Sequence, residues 1–262
     1  MSKQFSIIIL FCCFLTTYVV AQQKTSGVIY YTQVINLRNV GANSATQGNR
    51  PQRANMPESI TNKMEIIYNA NGARLQKSIL DEDLNPDAGN TAGGGQMMMR
   101  FAGGTDREVF FNLADKKATE SFEMNGVPYL LESLLGSKSE GFVKTDETKI
   151  IAGIKCKKAV MNDKDGNQTS IWYTNSLPFV ASPVPSLWTE GVVMGVENQR
   201  MKYMASSIEY TKIKDSEITL PKKSTKISQE EYQVKQEEMR KKMREQFRSG
   251  GNGNVIIREG GN

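Results

Sequence analysis

The 262-residue chain contains no histidine. That absence removes the Ser-His-Asp and Cys-His catalytic pairings and every imidazole metal site at once. Cysteine is almost as scarce, with three residues, two of which (Cys12 and Cys13) stand inside one apolar run near the start. Cys156 alone follows that run, so no intramolecular disulfide framework is available and stability must come from ordinary burial. A second long apolar run is missing too, which leaves no transmembrane span after the first one. The net charge of +5 is modest and its cations gather late in the chain, without a stripe of interleaved aromatics. Nucleic acid is therefore not an expected partner.

The opening MSKQFSIIILFCCFLTTYVVAQ carries Lys3 ahead of an apolar stretch, with Val19 and Ala21 at the small-residue positions of a cleavage site. This pattern predicts a secretory signal peptide over residues 1–21, and so an exported protein, periplasmic or extracellular. Cys12 and Cys13 sit too early in the run to serve as a lipidation site. The remaining ~240 residues suffice for one large β domain or two small domains with real cores.

Period-two alternation dominates the chain from Gly27 onward. GVIYYTQVINL is rich in β-branched and aromatic residues, and MEIIYN places Met64, Ile66 and Tyr68 on one face. Asn71-Gly72 and Asn125-Gly126 are the commonest tight-turn dipeptides, and DKDGN marks another turn, between IAGIKCKKAVM, read as one strand, and QTSIWYT. REVFFNL and KKATESFE read as a further pair, with more strands at VPYLLES, GVVMGVE and RMKYMASSIEYTKI. About ten strands with short turns and no intervening helical pattern predict a mainly β protein. The expected form is a large curved antiparallel sheet or half-barrel, lipoprotein-carrier-like, over residues 22–227.

Two polar, glycine-bearing stretches, 40–59 and 85–104, read as long excursions between strands. Ser228 and Glu231 have capping-box spacing, and Met239, Met243 and Phe247 recur every four residues, predicting a charged amphipathic helix over 228–249. A glycine-rich tail, 250–262, closes the chain. Its NVIIREG segment reads as a frayed end or as an added strand on an exposed edge.

Candidate chemistry is sparse. Alternation puts Ile154 and Cys156 on one face and Lys155 and Lys157 on the other, so Cys156 reads as core together with Ile154 and Tyr173; an intermolecular disulfide or redox role is the alternative. Met97, Met98 and Met99 are soft thioether ligands on a glycine-flanked loop and define the metal-handling alternative. DEDLNPDAGN resembles the start of a calcium loop but has Pro86 where glycine is required and no acid at the twelfth position. The proline-bearing loop LPFVASPVPSLWTEGVV either closes one end of the sheet or presents Phe179 and Trp188 to a ligand or partner, with Trp172 nearby in sequence. No pair of carboxylates is spaced as an acid and a base. Hence no catalytic residue and no cofactor is expected.

TDETKIIAGIKCKKAV, SIWYTNSLPF and the proline loop leading into EGVVMGVE resemble, in that order, the signature of the GLPGLI family of exported Bacteroidota proteins. In place of the namesake motif the chain reads SLWTEGVVM, with Gly191 at the second glycine and Val192-Val193 at the Leu-Ile pair. The resemblance implies a Gram-negative envelope protein with no catalytic residues to carry over. The functional expectation is thus a non-enzymatic envelope protein that binds an apolar ligand or a partner protein. Metal handling by the methionine loop, and envelope assembly through the C-terminal helix and tail, are the alternatives.

Overall fold

The computed structural model describes residues 24–36, 58–78, 107–112, 114–187 and 190–249. The expected leader (1–21), the tail (250–262), Met97 to Met99 and Trp188 lie outside them. Among the described residues one open sheet runs β12-β6-β5-β4-β3-β2-β1-β11-β10-β9-β8-β7. In chain order its strands are β1 (Gly27–Asn36), β2 (Ser59–Tyr68), β3 (Ala73–Lys77), β4 (Glu108–Asn112), β5 (Lys117–Met124), β6 (Val127–Leu134), β7 (Val143–Ile151), β8 (Ile154–Asn162), β9 (Gln168–Thr174), β10 (Val192–Glu197), β11 (Met201–Glu209) and β12 (Thr225–Ile227). Helix α1 spans Gln229–Ser249. All neighbouring strands are antiparallel except β12 and β6. The architecture is the expected one: mainly β, a single large sheet that does not close, and one C-terminal helix.

Turn chemistry sets most of the order. At Asn125-Gly126 both residues have positive φ (54° and 78°), the two-residue geometry whose twist matches a right-handed hairpin. The β8–β9 turn is built by the Asp163 carboxylate, which accepts from the backbone N–H groups of Asp165 (2.9 Å) and Asn167 (2.8 Å). The Asn167 side-chain amide, together with those backbone donors, holds Asp163 below the usual carboxylate range. The segment IAGIKCKKAVM is not one strand: Ala152 and Gly153, with φ of 49° and 77°, fold it into the β7–β8 hairpin.

The sheet has to curl. β6 and β7 stand ten strand spacings apart in the sheet order, about 48 Å if it were flat. The eight residues between them reach at most about 30 Å. Curvature brings the two halves together around an inner core. Ile29, Tyr31, Ile66, Tyr68, Val109 and Phe111 enter it from one half, Cys156, Trp172, Met194 and Ala205 from the other. The β9–β10 register shifts between Val193 and Gly195, and the Tyr31 hydroxyl donates to the Val193 carbonyl at 2.8 Å. Burial pushes that hydroxyl above its ordinary range. A second core on the opposite face gathers Ala159, Ile171, Tyr173, Val196 and Tyr203.

The link from β11 to β12 passes six intervening strands and is pinned along their ends. The Ile213 N–H donates to the Ser26 hydroxyl (2.9 Å), and the side-chain amides of Asn69 and Asn71 donate to Asp215 Oδ1 (2.8 and 2.9 Å). This strap delivers the chain to β12 and so places α1 beside β5 and β6.

Candidate functional site

The residues singled out from the sequence are not gathered at one surface. Phe179 is buried, with its ring stacked on Tyr68 at 4.2 Å between centroids. Leu177 and Ala181 accompany it into the inner core, so the proline loop fills the space between the sheet halves with its own side chains. Phe179 and Trp172 are therefore not presented as contact rings on the surface. Farther along, Leu187 and Val184 reach the second core, and the Val193 N–H donates to the Ala181 carbonyl at 2.9 Å.

Trp172 is 8% exposed and lies beneath two ammonium groups, Lys149 Nζ at 5.6 Å and Lys158 Nζ at 5.5 Å from its ring centroid. Glu147 holds Lys158, with both carboxylate oxygens 3.0 Å from Nζ. Across the sheet the ring leans over Gly195, where a Cβ would stand 3.3 Å from Trp172 Cδ1 and 3.1 Å from Met204 Sδ. Glycine at that position lets indole and thioether close over the backbone. Cys156 is fully buried in the inner core, Ile154 is half-buried beside it, and Tyr173 is buried in the second core. Burial raises the Cys156 thiol to about 11, against a backbone hydrogen bond from Ile151 that lowers it. At neutral pH it is a thiol and a poor nucleophile. Among the described residues no group of three or more Asp, Glu or Cys side chains could hold a metal ion.

A concave feature lies elsewhere, where α1 lies against the β5–β6 hairpin. The helix starts with a reciprocal cap: Glu231 N–H donates to Ser228 Oγ (3.1 Å) and Ser228 N–H to Glu231 Oε2 (2.9 Å). One turn on, the Tyr232 ring meets Phe122 edge-on at 5.2 Å. The Arg107 guanidinium packs on both rings, 4.9 Å from Phe122 and 5.4 Å from Tyr232, and pairs with Glu120 at 2.8 Å. Arg107 and the Gln236 amide both donate to the Tyr232 hydroxyl. This lock fixes the first turns of the helix.

Past the lock the helix and the hairpin diverge and leave a cleft of about 200 Å³. Met124, Asn125, Val127 and Tyr129 line the hairpin wall, and Lys235, Glu238, Met239 and Lys242 line the helix wall. Lys235 Nζ lies 5.5 Å from the Tyr129 centroid. The lining mixes the apolar side chains of Met124, Val127, Tyr129 and Met239 with two cations and one acid. Such a site can hold an apolar or amphiphilic group and favour a negative one; it contains no acid–base pair, nucleophile or oxyanion cradle. The helix wall was readable from the periodicity of Met239. The hairpin wall was not, because the strap that brings α1 back to β5 and β6 is a tertiary feature.

A family model described as "N-glycanase peptide, N-terminal domain" matches residues 132–235, from the end of β6 to the second turn of α1. Among solved structures, PNGF-II in two crystal forms is similar at 18% identity, with TM-scores of 0.52 and 0.50. The match covers 80% of this chain but 32% and 33% of those chains, so this chain spans about a third of their length. An uncharacterized conserved protein from Thermus thermophilus overlaps at 6% identity and a TM-score of 0.37, over 79% of this chain and 94% of that one. No curated protein matches. At 18% identity the likeness to PNGF-II establishes a shared β fold alone.

Proposed function

We propose that this chain is an exported Gram-negative envelope protein of the GLPGLI kind, with its leader removed, that acts without catalysis as a docking module. The observation that carries this reading is the filled interior. Leu177, Phe179 and Ala181 occupy the space between the sheet halves that an apolar cargo would need. Binding then falls to the outside, and the helix–hairpin cleft offers a lining that mixes apolar and charged side chains. The chemistry of the described residues agrees, since the one free thiol among them is buried and protonated.

A photo-crosslinking residue placed at Val127, on the cleft wall, and at Ile150, on the far edge of the sheet, tests the reading in cells that export the chain. A defined adduct from Val127 with none from Ile150 is expected. Adducts from both positions alike, or from neither, would end it. The name of the matching family favours a second reading, in which the chain takes part in handling N-linked glycans. Saturable binding of an N-glycopeptide, or loss of its glycan in the presence of the pure chain, would put that reading first.

A further inference from the structure

The helix that walls the cleft is divided in charge. Its docked part, through Met239, carries Glu230, Glu231, Glu237 and Glu238 against Lys235. From Arg240 to Ser249 it carries Arg240, Lys241, Lys242, Arg244 and Arg248 against Glu245. A helix dipole favours acids in the first turn and cations in the last turn, and falls off within one turn of each end. It accounts for the acids at the start and Arg248 at the end. It does not account for cations that begin in the middle of the helix, around the cleft.

Those cations are placed for contact. Arg240, Lys241 and Lys242 are exposed, and no described helix residue after Met239 is buried. Lys235 and Lys242, seven positions apart, fall on the face that carries Met239 between them, and all three line the cleft. Opposite stands Val127, 40% exposed on the hairpin wall. The sequence continues the register with Met243 and Phe247, four and eight positions after Met239. An apolar line flanked by cations on a helix with one free side is the arrangement of helices that lie in the headgroup plane of a bilayer.

We propose that this end of the molecule docks on an anionic membrane surface, with Lys235, Arg240 and Lys242 on lipid phosphates and the apolar side chains of the cleft against acyl chain. The inference rests on the docking reading above and names its occupant. An acidic protein would satisfy the cations, but it gives no reason for Met124, Val127 and Met239 to line a groove between two lysines. A lipid supplies both the negative head and the methylene chain that such a groove takes.

Flotation of the exported chain with vesicles rich in phosphatidylglycerol, and with vesicles of phosphatidylcholine alone, tests it. Binding is expected on the anionic vesicles at about 50 mM salt and is expected to disappear at about 500 mM, where screening is strong. Each cation near such a surface contributes about fivefold, so Arg240→Gln with Lys242→Gln should weaken binding roughly 25-fold. Both positions are exposed, and an unchanged circular dichroism spectrum verifies the fold. Equal binding to both vesicle types, binding unaffected by the double substitution, or no binding at low salt would overturn the proposal. A protein adduct at Val127 combined with failed flotation would remove the membrane and keep the docking module; loss of both would remove the two together.

Discussion

Replacing Phe179 with alanine separates a plug from a contact ring. The side chain is 6% exposed, and its ring stacks on Tyr68 with 24° between the planes. Truncating a buried phenylalanine costs ~3–5 kcal/mol, of which the aromatic pair accounts for ~0.5–1.5 kcal/mol. The upper half of that range applies where the backbone cannot collapse into the cavity. Here the loop is held on both sides of the ring: Thr174 Oγ1 accepts from the Ser176 N–H at 3.2 Å, and the Ala181 carbonyl accepts from the Val193 N–H at 2.9 Å. A loss of about 4 kcal/mol is expected. With a urea m-value of roughly 3 kcal/mol/M for a chain of this size, the unfolding midpoint should fall by about 1.3 M at constant m. Phe179→Leu keeps most of the volume and should cost under about 1.5 kcal/mol. A midpoint shift for Phe179→Ala below about 0.3 M would show that the ring contributes little to the core, and the argument for a filled interior would fail with it.

Two further expectations come from buried groups. The Cys156 thiol, raised to about 11 when folded against 9.0 when free, binds its proton more tightly in the native state, so it contributes stability that is present below about pH 9 and lost as pH rises toward 11. The difference in unfolding free energy between the wild type and Cys156→Ala should shrink across that window by up to ~1.4 kcal/mol per pH unit, and a thiol reagent should label the native monomer only on unfolding; prompt labelling at pH 8 refutes this burial. Arg107→Gln removes the cation held between Phe122 and Tyr232 and leaves Glu120 unpaired, which should cost about 2 kcal/mol and speed amide exchange in the first turns of α1. Exchange unchanged over residues 229–239 would mean that the helix is held by something else.

The parts of the fold written in local chemistry were legible. Asn71-Gly72, Asn125-Gly126 and DKDGN each specify a turn by backbone preference alone, and each joins adjacent strands in the structure. The β7–β8 turn is hidden in the sequence because Ile-Ile-Ala-Gly-Ile is apolar throughout; only the positive φ of Ala152 and Gly153 reveals it. β12 is hidden because its three residues form a strand only through parallel pairing with β6 after a long crossover. Alternation placed Cys156 with Ile154 opposite Lys155 and Lys157, without telling that Tyr173 packs in a second core and that both faces are covered. That comes from the curl, and the curl comes from a short connection between strands at opposite ends of the sheet. The same gap hid the cleft, since its two walls are separated by more than a hundred residues.

The handling of the two sheet edges explains why docking at the cleft is the more economical reading. An all-β protein with a free edge can bind a partner by adding its strand. β7 is a nine-residue edge with Val143 65% and Ile150 72% exposed, the raw material for such pairing. Its regular ladder is broken, however, by a two-residue register shift between Lys144 and Thr148. Within that irregularity Thr145 Oγ1 donates to the Lys158 carbonyl at 3.3 Å. Lys144, Asp146, Glu147 and Lys149 put charge of both signs along it, and Lys144 is held by Glu190 at 2.7 Å. A bulge and alternating charges are the usual protection of an edge against strand addition. The other edge, β12, offers three residues and leads directly into the capped start of α1. With one edge blunted and the other short and followed by a helix, backbone pairing is a poor route to a partner. The proposed docking therefore relies on side-chain recognition by the cations and methionines of the helix–hairpin end.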